Sequence, residues 1–177
     1  MSYRVGAVAL GSNLGDREKQ LMRAVRKLER TEGVIVLRRS DWIESAPVGG
    51  PAGQGLYLNG VMLIETELEA LALLEVLHRI EAQLGREREA ENERNMPRTI
   101  DLDLLFLGDL VLEDKAIRLP HPRMDERIFV LEPLAQLSPD HLLPSGVTVA
   151  ERLDALRAKL ADPDGSSTTA SNAEGIA

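Results

Sequence analysis

The sequence contains no cysteine, which excludes disulfides, thiolate nucleophiles and cysteine-ligated metal sites. His78, His121 and His141 are the only histidines, and no two stand at ligand spacing, which argues against a histidine zinc site. Basic residues are outnumbered: 21 Lys and Arg face 29 Asp and Glu, for a formal charge of −8. Holding nucleic acid or anionic lipid needs a dominant basic surface, so neither is expected as a partner. A local basic pocket for a small anion remains open. Long apolar runs are absent too. Val5 to Leu10 near the start is too short for a signal-peptide core or a bilayer span, and a cytoplasmic protein is expected. No Gly-Lys-Ser/Thr follows Gly11 to Asp16, G-x-G-x-x-G is missing, and no Ser-His-Asp order occurs. P-loop, dinucleotide-fold and triad-hydrolase readings therefore have no support.

What remains is a chain of 177 residues with 44% apolar content, ordinary for one globular domain. The last stretch, 162–177, is small, polar and aperiodic, so a single domain over 1–161 with a disordered tail is expected. Val5 to Leu10 reads as a strand running into a turn. Asp16 is placed to cap a helix in which Leu21, Ala24, Val25 and Leu28 recur at helical spacing. Val34 to Leu37 reads as a buried strand continuing toward Ile43. Ser45 to Gly55 holds two prolines and four glycines, a long loop of the kind that usually carries function. A strand follows from Leu56 to Ile64, then a helix from Glu69 to Leu84, an Arg- and Glu-rich loop, and a strand from Ile100 to Leu107. Gly108-Asp109 is expected to turn that strand into a short hairpin with Leu110 to Leu112. Helical patterns close the chain, one through Ile128, Val130, Leu131 and Leu134, one through Val149, Leu153, Leu156 and Leu160. Strand, helix, strand, strand, helix, strand is the order of an α+β, ferredoxin-like split βαβ plan. It has an antiparallel sheet, two helices on one face and a second face open to ligand.

Asp101 and Asp103 stand at i and i+2 on the last core strand, so both carboxylates share one face, while Leu102, Leu104 and Phe106 are expected to point into the core. The pair is either a solvated polar face or a seat for a hard cation such as Mg²⁺, which takes one or two carboxylates plus phosphate oxygens. Arg98 just before it, with Arg86, Arg88 and Arg94 upstream, favours metal plus polyphosphate, because guanidinium forks onto phosphate oxygens. Tyr57 and Asn59 share a strand face beside the Gly-rich loop, with Phe129 as a second aromatic plate, an arrangement that can stack on and hydrogen-bond a flat heterocycle. Packing of Tyr57 at a sheet edge and a turn role for Asn13 are the plain alternatives. His121 is held between two prolines, whereas His78 and His141 read as ordinary helix and surface residues.

Several blocks, in order, resemble the 6-hydroxymethyl-7,8-dihydropterin pyrophosphokinase family. They are Ala9 to Asp16, Tyr57-Leu58-Asn59, Arg79-Ile80-Glu81, Leu84-Gly85-Arg86, Pro97 to Leu105, and Leu119-Pro120-His121 with Arg127, Phe129, Val130 and Leu131. The resemblance implies a ferredoxin-like fold and transfer of pyrophosphate from ATP to the hydroxymethyl group of the pterin, releasing AMP, in folate biosynthesis. It implies Asp101 and Asp103 as ligands of two Mg²⁺ ions, and Arg86 and Arg98 as the cations that stabilise the transferring group. Glu81, Arg88, Arg98, Leu104, His121 and Arg127 would be ATP contacts. Ser45, Val48, Tyr57, Asn59 and Phe129 would hold the pterin. The chain departs from common relatives at Asn95 and Pro122, where an aromatic is frequent, and at Ser45-Ala46, where Thr-Pro is frequent. A monomer working on small molecules is expected. Two other readings use the same residues: a nucleotidyltransferase with a two-metal Asp pair, which would want a broader basic groove, and a domain that binds pterin or nucleotide without turnover, which rarely needs two carboxylates and two arginines together.

Overall fold

The computed structural model describes residues 3–86 and 96–162; the tail from 163 onward, Arg88, Arg94 and Asn95 lie outside them. Its centre is an antiparallel sheet of β1 (Arg4–Ser12), β2 (Val34–Arg39), β3 (Ile43–Ser45), β4 (Tyr57–Thr66) and β5 (Asp101–Leu107). The strand order is β2-β4-β1-β5, with β3 also on β4. Helices α1 (Arg17–Glu29) and α2 (Ala70–Gln83) pack on one face. Asp16 caps α1 as its spacing predicts, accepting from the Lys19 N–H at 3.1 Å. Leu21, Ala24, Val25 and Leu28 are all buried, and Leu73, Leu77 and Ile80 form the matching stripe of α2. Val8, Leu10, Met62, Ile64, Leu102 and Leu104 meet those helices from the strands. The ferredoxin-like order of elements is the one the periodicity predicts.

Five local expectations are corrected. The second sheet face is not left open: α3 (Ile128–Ala135) and α4 (Val149–Ala161) cover one end of it, burying Ala7, Val61, Leu63, Leu105 and Phe106 under Val130, Leu131, Leu134 and Leu153. Phe106 therefore belongs to this second core, not to the first with Leu102 and Leu104. The register of β1 on β5 slips between Ala7↔Phe106 and Val8↔Leu104, so Leu105 is an extra residue that shifts the alternation by one,. Strand β2 is an edge and largely exposed after Val34, because no strand among the described residues pairs beyond it. The segment after Gly108 does not pair back on β5; β6 (Leu112–Glu113) pairs with β7 (Arg118–Leu119). Finally, Leu160 is exposed, so the apolar stripe of α4 ends before its last turn.

Packing also revises His141 and gives Trp42 a place. His141 stacks on Phe106, ring centroids 3.9 Å apart and 17° from parallel. Trp42 lies flat over Gly60, where a Cβ would meet its ring carbons at 2.5 Å. The Arg39 guanidinium covers that indole at 4.4 Å,.

Candidate active site

The end of the second face that α3 and α4 leave uncovered forms the cleft. Its floor is set by register. Asn59 on β4 pairs with Gly11 on β1, which pairs with Asp101 on β5. One rung on, Val61, Ala9 and Asp103 align in the same way. Gly11 matters here for its missing side chain: a Cβ would sit 3.3 Å from Asn59 Oδ1 and 3.6 Å from Tyr57 Cδ1. Small residues on the central strand thus keep the floor low between an aromatic and amide wall and a charged one,.

The first wall comes from β3, β4, α3 and the 46–56 loop. Ser45, Val48, Tyr57, Asn59 and Phe129 all line the cleft. Asn59 is buried and its Nδ2 donates to Ser45 Oγ at 2.9 Å. The Tyr57 hydroxyl donates to the Met96 carbonyl at 3.4 Å, tying this wall to the segment that carries Arg98. Asn13 makes a second tie. Its Oδ1 accepts from the Arg98 N–H at 2.7 Å, and its Nδ2 donates to Gln54 Oε1 at 3.2 Å, so one turn residue grips both loops.

The second wall carries the charges. Arg98, Asp101, Asp103 and Arg127 line the same cleft. Arg98 Nη1 donates to Asp101 Oδ2 at 2.7 Å, and Arg86 Nη1 donates to Asp101 Oδ1 from behind. Burial pushes the Asp101 carboxyl up, but the Arg98 and Arg86 guanidiniums outweigh it and hold the group below its ordinary value,. Asp103 goes the other way. Burial and the Asp101 charge raise it, and His121, Arg127 and Arg98 do not fully offset them. Among the described residues, Arg127 Nη1 forms an ion pair with Asp103 Oδ2 at 3.5 Å. His121 is lowered chiefly by burial, with Arg127 and Arg123 adding to the effect against Asp103. Its Nδ1 faces the Arg123 N–H at 3.2 Å.

Nine of the residues singled out in the sequence are thus brought to one cleft. Others lie elsewhere. Glu81 is fully buried and does not line the cleft; its Oε1 accepts from the Leu102 N–H at 2.7 Å and from Arg86. It stands behind the Asp pair as a brace for Arg86. Arg86 is itself buried, and its reach is through Asp101. The Leu104 side chain is in the core under α1 and α2, on the face opposite Asp103, which leaves only its backbone on the cleft side for an ATP contact. His121 lies beside Asp103 outside the lining. Arg88 is outside the described residues. Ala9, Gly11, Pro47 and Arg123 line the cleft without having been singled out for it. Arg123 was legible as a cation two residues from His121; Ala9 and Gly11 could be found only through strand register.

The comparisons with known proteins agree with this picture. A family model described as 7,8-dihydro-6-hydroxymethylpterin-pyrophosphokinase (HPPK) matches residues 7–139. Three curated relatives carry the name 2-amino-4-hydroxy-6-hydroxymethyldihydropteridine pyrophosphokinase. That of Methylorubrum extorquens is 44% identical over 158 residues, 89% of this chain and 94% of its own. That of Pseudomonas aeruginosa is 41% identical over 148 residues, 84% and 89% respectively. That of Bacillus subtilis is 44% identical over 133 residues, 75% and 77%. Among solved structures, the Plasmodium falciparum HPPK-DHPS with pteroate superposes with a TM-score of 0.71 over 91% of this chain at 12% identity. This chain spans 44% of that one, and the likeness supports the fold alone.

Proposed function

The chain belongs to the 7,8-dihydro-6-hydroxymethylpterin-pyrophosphokinase family, and on that premise we propose how its own residues move pyrophosphate from ATP to the hydroxymethyl group of 6-hydroxymethyl-7,8-dihydropterin. The observation that carries the reading is the single cleft with two unlike walls, Tyr57, Asn59 and Phe129 against Arg98, Asp101, Asp103 and Arg127. A flat amide-bearing ring fits the first wall by stacking and hydrogen bonding. A triphosphate fits the second. The buried Nε of Arg127 has no hydrogen-bond partner among the described residues, which suits a guanidinium waiting for an anion. Arg123, near Arg127 and His121, adds a further cation for the same phosphates.

In the reaction, the pterin hydroxymethyl oxygen bonds to the β-phosphorus of ATP, the bond from that phosphorus to the α–β bridging oxygen breaks, the hydroxyl proton leaves, and AMP departs. Such transfer depends on in-line placement and on cancelling charge more than on covalent help from the protein. Ser45, Tyr57, Asn59 and Phe129 place the acceptor oxygen. Arg98 and Arg127 face the transferring phosphates. Arg86 and Glu81 hold Asp101 in place from behind.

Among the described residues no group of three or more His, Asp or Glu is arranged for a metal. Two neighbouring carboxylates on one strand face still fit Mg²⁺, which completes its shell with phosphate oxygens and water. Burial and the neighbouring Asp101 charge raise the Asp103 carboxyl, a push that a bound cation would offset,. Asp101 and Asp103 would hold the two ions, and the metal would supply charge neutralisation when bound. The same proposal takes residues 1–161 as one catalytic domain acting as a cytoplasmic monomer on small molecules, without nucleic acid or membrane; no helix among the described residues is long and apolar enough to cross a bilayer. The test is AMP release from MgATP with and without 6-hydroxymethyl-7,8-dihydropterin. Pterin-dependent AMP without ADP is the expected result. ADP would mean an ordinary kinase, and pterin binding without turnover would mean the binding domain.

A further inference from the structure

The wall that receives the pterin is built on weak supports. β3 is three residues long and pairs only with the start of β4, Ser45 opposite Tyr57 and Glu44 opposite Leu58. The 46–56 loop that joins them is glycine-rich, and Gly49 and Gly50 take positive φ of 75° and 84°, so the loop has little stiffness with which to set its own span. Gln54 Nε2 donates within the loop to the carbonyls of Gly49 and Pro51, and Asn13 Nδ2 holds its C-terminal end at Gln54 Oε1 and the Gly55 carbonyl.

One side chain from outside reaches both stems. Arg17, the first residue of α1, donates from Nη1 to the Leu56 carbonyl at 2.8 Å and from Nη2 to Glu44 Oε1 at 2.7 Å. Glu44 immediately precedes Ser45, and Leu56 immediately precedes Tyr57. The two arms of one planar guanidinium therefore stop one residue short of a cleft-lining side chain on each stem. Helix α1 is a rigid base for this, since its inner face is locked in the first core and Asp16 caps its start.

We propose that Arg17 is a positioning residue for the pterin-facing wall, stapling Glu44 to Leu56 so that Ser45 and Tyr57 stay at the spacing the ring requires. Resting on the pterin reading above, the inference concerns how tightly that ring is held. Arg17 itself does not line the cleft. The ion-pair arm is partly exposed, with side chains 31% and 52% accessible, so it is modest and weakened by salt. The carbonyl arm depends on guanidinium geometry, which a lysine ammonium does not reproduce.

The experiment compares wild type, Arg17→Ala, Arg17→Lys and Glu44→Gln by titration with the pterin, titration with ATP, thermal midpoint and steady-state AMP release. Arg17→Ala is expected to weaken pterin binding about three- to tenfold, a size suited to one ion pair with one carbonyl bond. Affinity for ATP should stay within about twofold on the same scale. Arg17→Lys should recover part of the loss, and Glu44→Gln, which keeps an acceptor but no charge, should show a smaller loss that shrinks as salt rises, because screening weakens the same ion pair in the wild type,. Equal pterin affinity in wild type and Arg17→Ala would overturn the staple, as would parallel losses for pterin and ATP. If Arg17→Ala does not fold, unchanged pterin affinity in Glu44→Gln overturns it instead. Absence of pterin-dependent AMP in the wild type would sink the functional reading and is seen before any variant is compared.

Discussion

The two faces of β1, β4 and β5 are made of alternate residues of the same strands, yet they do opposite work. Toward α1 and α2, Val8, Leu10, Met62, Ile64, Leu102 and Leu104 form an unbroken apolar layer. Toward the cleft, Gly11, Asn59, Asp101 and Asp103 put small and charged groups where a core would otherwise continue. The first face lowers the energy of the fold by burial. The second holds two like charges side by side, one of them raised by burial and by its neighbour. The comparison teaches that rigidity and chemistry are separated by one strand position. Apolar packing behind the sheet over-determines the placement of groups that would not choose it.

The sharpest way to break this comparison is at Asp103. Asp103→Asn should cut AMP formation by about a hundredfold or more, the scale of losing a charge aimed at the transferring group. Because its folded carboxyl is raised, the ionised form costs stability above its unfolded pKa, and removing it should leave the thermal midpoint unchanged or higher,. A variant that melts early would show that Asp103 is structural. One residue away the pattern should invert. Leu102→Ala, in the fully buried layer, should cost about 2–5 kcal/mol in a urea titration, and turnover of the folded fraction should fall far less than in Asp103→Asn.

Gly60→Ala tests the support behind the pterin wall. Its new methyl collides with Trp42 and should cost about 1–3 kcal/mol, with a change in Trp42 fluorescence, the chain's only tryptophan. Tyr57→Ala should weaken pterin binding about tenfold while leaving ATP titration little changed; equal losses would undo the stacking role. The smallest effect belongs to His141. Burial lowers it, so the fold prefers the neutral ring. That contribution is fully present above the unfolded value, about 6.5, and is lost as pH falls below it. Between pH 7.5 and 5.5, wild type should lose more stability than His141→Gln; parallel curves would remove the histidine from the account.

Much of the fold could be read in advance because it rests on local rules. The Asp16 cap and the stripe of α1 are a polar acceptor before a helical period,. The stripe of α2 and the shared face of Asp101 and Asp103 are periodicities,. The side on which Phe106 lies could not be read. A bulge that inserts Leu105 is decided by how β1 and β5 align, and nothing in the residue order marks it,. The exposure of β2 has the same origin, since an edge strand and a central strand can carry the same apolar residues.

The site divides in the same way. Motif blocks brought out Tyr57, Asn59, Arg98, Asp101, Asp103, Arg127 and Phe129, because chemistry depends on residue type and those residues carry it. Glu81 reads in sequence as a contact, yet the structure buries it against Arg86 and the Leu102 amide. By itself, the sequence determined the main helices and core strands, the apolar stripes of α1 and α2, and which residue types are available for charge and stacking, since those follow from spacing of three to four or of two along one chain. Only the tertiary structure decided that Asn59, Gly11 and Asp101 share a rung, that Arg17 spans both loop stems, and that α3 and α4 close half of the second face. Those contacts join residues far apart in sequence, and their distances are set by register and packing rather than by any local preference.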